Sequence, residues 1–346
     1  MSTRLRIPSY ILAVFAFLLL PFEFLALCQN VERYNERPPA CDAYDSAQVP
    51  VADLPTPEDR KSLESCNSED LYFGFDHPAE PLKARRCAYI ERENHNNDPE
   101  HVFGGSGLLT MIYANGNGAT RNFHLALKFS CEVDGAQAEN YSRFDHLLKL
   151  QREHWTGHNF NLCDDATSGF MEGWCADLQE KFDRVARAKK LDEIIANWSP
   201  TDRVAFRNLQ QAANAFFEAS SRNEVDFSGT GGAAFEIEAG ASLKGGFVAA
   251  LARFERGQLP RFSRAEFSKA DAKLNSIYSK IQSEKPDPLT MVTVTPEGVR
   301  KAELAWLDYR EAWVQFGRIK YPSVTPESWM TWLTEGRIKM LQDLSY

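Results

Sequence analysis

The chain has 346 residues, of which 43% are hydrophobic, with 39 basic and 48 acidic side chains and a net charge of −9. That length supports about two domains with cores of their own. The acid excess speaks against nucleic acid or an anionic membrane surface as partner, since both reward basic patches, and it favours a basic protein partner instead.

Arg4 and Arg6 precede an uncharged run over residues 7–22, densest over 10–20. This is the positive n-region and apolar h-region of a secretory signal. Ala26 and Cys28 fit the −3 and −1 positions of a cleavage site, so residues 1–28 are expected to be removed and Gln29 to begin the mature chain. Two other readings use the same residues. Cys28 as a lipidated cysteine is opposed by the bulky Leu27 before it, and a retained anchor is opposed by Glu23. The expected location is the periplasm or the medium, with no stable membrane span after cleavage. Cys41, Cys66, Cys87, Cys131, Cys163 and Cys175 then remain. An even set in an exported chain predicts three disulfides. Cys163–Cys175 is the best local pair, because its short loop closes easily and stabilises by ~3 kcal/mol. No Cys-x-x-Cys pair occurs, so a zinc site is not expected, and neither is a cofactor.

Residues 29–65 carry Pro38, Pro39, Pro50, Pro55 and Pro57 with little periodicity and read as an extended segment, pinned by Cys41 and Cys66. Residues 107–113 then place apolar side chains at 108, 109, 112 and 113. Asn115-Gly116-Asn117-Gly118 breaks that helix and residues 123–133 resume it, which makes an αα-hairpin. Gly104-Gly105-Ser106-Gly107 lacks the final glycine of a nucleophile elbow, Leu108 standing in its place. His154 and His158, followed by Cys163 and Asp164, have the spacing of metal ligands on a helix, but Gly157 weakens the helix and no His-Glu-x-x-His occurs. They read as surface or cap histidines. Glu172, Asp177, Asp226 and Glu236 single out no catalytic pair.

Ser228-Gly229-Thr230-Gly231-Gly232 resembles a phosphate loop only superficially, lacking the lysine that should follow, and reads as a turn. Pro286, Pro288 and Pro296 frame a loop in which residues 292–294 suggest a short strand or an extended crossover. Two amphipathic helices follow one another toward the C-terminus. Leu274, Ile277, Tyr278 and Ile281 form one apolar stripe, and Trp306, Tyr309, Trp313 and Phe316 another. Such a stripe is ordinarily core. Its second reading is an interface of Trp306, Tyr309, Arg310 and Trp313, since tryptophan, tyrosine and arginine dominate binding hot spots. In the packing reading Arg310 stacks on the aromatic rim and pairs with Asp308 or Glu311.

Two resemblances organise these parts. Leu109-x3-Tyr113-x2-Gly116-x-Gly118-Ala119-x-Arg121-Asn122-x3-Ala126 resembles the SEL-type relative of the tetratricopeptide repeat, with a more degenerate copy from residue 71 to Cys87. This implies a protein-binding or scaffolding module over residues 66–135, and it makes Cys87 and Cys131, both in second helices, plausible partners. The stretch Cys163-Asp-Asp-Ala-Thr-Ser-Gly-Phe-Met-Glu-Gly-Trp-Cys175 is similar to the opening of the LprI-type lysozyme-inhibitor family. Ala270-Asp271-x2-Leu274-Asn275-x2-Tyr278, Ala305-Trp306-x2-Tyr309-Arg310 and Leu333-Thr334-x2-Arg337-x3-Leu341 match its later elements.

Two degenerate copies are expected, over residues 163–255 and 264–346. An offset of 90 aligns Ala215-Phe-Phe-Glu218 with Ala305-Trp-Leu-Asp308, Leu243 with Leu333 and Leu251 with Leu341. The resemblance implies an all-α fold, helical hairpin repeats followed by disulfide-stabilised bundle units. It also implies a non-enzymatic, exported protein that binds another protein, a basic lysozyme among the candidates, by occluding its cleft. An envelope hydrolase acting on peptidoglycan and a periplasmic scaffold using the SEL-like repeats are the alternatives.

Overall fold

A computed structural model describes residues 37–95, 102–284 and 293–344. Among these the ordered elements are α-helices and short 3-10 turns, without a strand, so the expected all-α class is what the chain adopts. The proposed signal, residues 1–28, lies outside the described residues. No helix among the described residues is long and apolar enough to cross a membrane.

The N-terminal half starts with a 3-10 turn at Pro39–Ala43, then α1 (Pro57–Ser62), α2 (Ser68–Phe73), α3 (Pro81–His95), α4 (Gly105–Asn115), α5 (Phe123–Ser130) and α6 (Gln137–Arg152). α1 falls inside the segment expected to be extended, because Pro57 in the first turn and a reciprocal Thr56–Asp59 capping box start a helix there. α4 is buried along its whole length and ends at Gly116, whose φ of 64° is the left-handed geometry that glycine adopts without strain. The α4–α5 hairpin is therefore the one its glycines predict.

Among the described residues three disulfides staple the structure: Cys41–Cys131, Cys66–Cys87 and Cys163–Cys175. The local pair is as expected, but the Cys87–Cys131 pairing is corrected. Cys87 faces the start of α2, where Glu91, one turn further along α3, accepts from the Ser68 N–H and hydroxyl. Cys131 sits at the C-cap of α5 and meets the N-terminal 3-10 turn. The cysteines of the proline-rich segment thus bond to the helices rather than to each other.

α7 (Gly169–Ile195) joins the two halves, contributing Met171 and Leu178 to the first core and packing Leu191, Ile194 and Ile195 against the second. Glu139 on α6 fixes its start by accepting from the Thr167 and Ser168 N–H groups and the Ser168 hydroxyl. Burial pushes the Glu139 carboxyl up, yet these donors outweigh it and hold it below the ordinary range.

The C-terminal half adds α8 (Pro200–Asn223), α9 (Gly232–Glu255), α10 (Arg264–Ser283), α11 (Pro296–Lys320) and α12 (Pro326–Gln342). Ser199-Pro200, Thr295-Pro296 and Thr325-Pro326 each supply an N-cap hydroxyl and a first-turn proline, which is why these helices start there. α8 and α11 run antiparallel as the central pair, with Phe206 near Phe316 and Phe216 near Tyr309. α7 lies parallel to α9, Gly169 beside Thr230 and Glu180 bonded to Lys244. α10 packs along α12 with the two starts tied by hydrogen bonds between Phe262 and Ser328. Helices of both expected copies share one core.

Trp329 wedges into that core against Gly317, where an added Cβ would lie 2.3 Å from the Trp329 Nε1. Gly317→Ala is expected to cost ~1–3 kcal/mol, read from the denaturant midpoint, because the indole has no room to withdraw.

The glycine-rich stretch 228–232 is the turn between α8 and α9, with Gly229 at φ 84°. Asp226 shapes it by accepting from the Ser228 hydroxyl and N–H and from the Thr293 N–H, which together lower its carboxyl to about 2. Its contribution to stability is therefore present above the ordinary carboxylate range and is lost as pH falls toward 2. Comparing acid titrations of wild type and Asp226→Asn should show that increment in the wild type only. In the expected strand, Val292 lies outside the described residues, and Val294 is buried in non-strand backbone.

Candidate functional site

The aromatic stripe packs inward: Trp306 is 2% exposed, Tyr309 7% and Trp313 0%. Trp313 stacks on Trp329 at 5.6 Å and meets Phe254 edge-on at 5.7 Å. Arg310 alone reaches solvent. It lies 4.7 Å over the Trp306 ring, and its charge is met by Asp271 on α10 at 3.5 Å, in place of the expected Asp308 or Glu311.

Two of those aromatics nevertheless line a groove of about 260 Å³ between α9 and α12. Its floor is Phe216 from α8 with Trp306 and Tyr309 from α11, and its walls carry Leu243 and Leu333. Burial pushes the Tyr309 phenol well above its ordinary range. The Trp313 indole N–H is turned toward it, and that N–H is without a partner among the described residues.

One wall holds Arg337, which is fully buried. Its Nε donates to Glu303 at 2.8 Å, its Nη1 to Glu224 at 2.8 Å and its Nη2 to the other Glu224 oxygen. The guanidinium also faces the Phe216 ring at 5.6 Å. Burial opposes its charge, but the two carboxylates outweigh burial and hold the cation. Burial also pushes the Glu303 carboxyl up, against the pull of Arg337. The sequence placed Arg337 inside a motif without showing this role, because Glu224 is 113 residues away.

A second, larger groove between the starts of α7 and α9 is lined by Phe170, Trp174 and Ile237. Of its polar side chains, Ser168 caps α7 and Asp177 pairs with Lys181.

The other sequence candidates do not assemble. α6 ends at Arg152, His154 sits at φ 50°, His158 bonds to the Asn115 carbonyl at 2.6 Å, and Cys163 is in a disulfide. Cys66, Cys87 and Glu91 lie together, but both sulfurs are consumed in a disulfide. Gly104–Gly107 opens α4, where the Ser106 hydroxyl donates to Glu132 at 2.6 Å. Among the four carboxylates, Asp177 pairs with Lys181, Glu236 with Arg222, and Asp226 holds its turn. The sequence reading missed one cluster: Asp165 accepts from Ser142 at 3.0 Å and meets His146 Nδ1 at 3.0 Å. The serine hydroxyl there donates to the aspartate and not to the imidazole, so the cluster lacks the relay that activates a nucleophile.

No curated protein and no solved structure matches the chain. Residues 256–341, which span α10, α11 and nearly all of α12 and hold Trp306, Tyr309 and Trp332 of the groove, match the model of the family described as "Lysozyme inhibitor LprI".

Proposed function

We propose that this chain is an exported, non-enzymatic protein of the bacterial envelope that binds a lysozyme and inhibits it by sterically occluding its cleft. The family match over residues 256–341 carries this reading. Three disulfides support maturation outside the reducing cytoplasm. The net charge of −9 supports a basic partner, since charge complementarity speeds encounter and fixes orientation. Removing residues 1–28, which contain two arginines and one glutamate, would make the mature chain one unit more negative.

The two-copy organisation belongs to the same proposal. It is supported by the arrangement of the bundle, in which α7 pairs with α9 as α10 pairs with α12 about the central α8–α11 pair. The SEL-like block over residues 66–135 is proposed as a second protein-binding module, supported by its glycine-turn hairpin. Calorimetric titration of the mature protein with a basic lysozyme tests the binding. Saturable affinity that weakens as salt rises is expected. An absence of heat at all salt concentrations would contradict it.

A further inference from the structure

The groove between α9 and α12 has an internal logic that the offset of 90 residues exposes. Its lining falls into equivalent pairs: Phe216 with Trp306, Ser242 with Trp332, Leu243 with Leu333, Gly246 with Gly336. Phe216 of α8 stacks on Tyr309 of the antiparallel α11 at 5.3 Å, and both rings line the groove between the two proposed copies.

The two ends of the groove are not equal. At one end Trp332 and Trp329 close on Phe254, at 5.0 and 5.1 Å. The equivalents of those two tryptophans are Ser242 and Ala239, so the other end lacks both indoles and stays open. The glycines point the same way. An added Cβ at Gly246 or Gly336 would meet nothing within 4 Å, so no internal contact requires glycine at either position. Glycine in a helix interior costs ~1 kcal/mol relative to alanine. Tyr309, 7% exposed, lines this groove, with the Trp313 indole N–H turned toward its hydroxyl. The surrounding charges are mainly acidic. Glu218 and Glu236 share Arg222, Glu335 and Asp343 flank Lys339, exposed Glu238 has no ion pair among the described residues, and Lys244 is held by Glu180.

From these observations we infer that the open end of the groove receives an indole-sized aromatic side chain, flanked by basic residues, from a partner protein. The ring takes the place that Trp332 fills at the opposite end. The glycines let the partner's backbone come close, and Tyr309 bonds to a carbonyl or amide of the incoming segment. Like charge disfavours a second copy of this acidic chain as the occupant. The inference deepens the protein-binding reading and rests on it, but it does not require that the partner be a lysozyme.

Titrating the intact protein with the capped tripeptide Lys-Trp-Lys, followed by NMR, tests it. Saturable binding is expected below about 10 mM, at least ~10-fold tighter than for Glu-Trp-Glu, and weakened by a similar factor in Ser242→Trp. Ser242→Trp should melt no lower than wild type, because the new ring fills existing space. If that variant melts lower, Gly246→Leu serves in its place. Tyr309→Phe should weaken binding several-fold at an unchanged melting temperature. The inference is overturned if wild type does not bind, if both peptides bind alike, if the variants bind undiminished, or if sedimentation shows a wild-type dimer that Ser242→Trp abolishes. Lysozyme binding, measured alongside, separates the two proposals. Peptide binding without lysozyme binding defeats only the lysozyme reading, and equal lysozyme binding by wild type and Ser242→Trp defeats only the groove.

Discussion

Arg337→Met is expected to destabilise the protein by ~3–5 kcal/mol, the usual consequence of removing one partner from a buried ion-pair network. The arginine is fully buried between Glu224 at the end of α8 and Glu303 on α11, and it ties α12 to both. Methionine fills most of the volume, so the loss isolates charge more than packing. Two carboxylates then face each other in a site with little water. Their repulsion raises the affinity of both for protons, so the variant's deficit should shrink as pH falls and they protonate. Adding Glu224→Gln and Glu303→Gln to Arg337→Met should recover much of the loss at neutral pH. Denaturant midpoints at unchanged slope are the measurement. A deficit under 1 kcal/mol would show that the network contributes little.

Removing the Cys41–Cys131 disulfide should have an effect of similar size. The two residues are 90 apart, and closing a loop of that length lowers the entropy of the unfolded chain by ~4–5 kcal/mol at 25 °C. The separations of 21 and 12 for the other two bridges correspond to ~3 kcal/mol each. The paired variant Cys41→Ala with Cys131→Ala should therefore melt lowest of the three paired disulfide variants. Reductant should lower the wild-type melting temperature below that of any one of them. A wild type whose melting does not respond to reductant would contradict this.

Local chemistry was readable from the sequence because its causes lie within a few residues. The Gly116–Gly118 turn, the amphipathic stripe of α11 and the Cys163–Cys175 loop all fall in this class. What the sequence reading got wrong or left open depends on which helices meet. Cys131 pairs with Cys41 because α5 ends beside the N-terminal turn, and nothing in either cysteine's neighbourhood encodes that. The aromatic stripe read first as core and second as an interface. The deciding fact is that α8 and α9 cover it. The groove was half legible, since the offset of 90 already paired Leu243 with Leu333. Its open end became visible only when Ser242 and Trp332 were placed on opposite walls.

The most direct measurement is the rate at which a basic lysozyme clears a peptidoglycan suspension as the purified mature protein is added. Progressive slowing that saturates near stoichiometric protein is expected, with no clearing by the protein alone. An unchanged rate at saturating protein would contradict the inhibitor, and clearing without added lysozyme would reveal a hydrolase in its place.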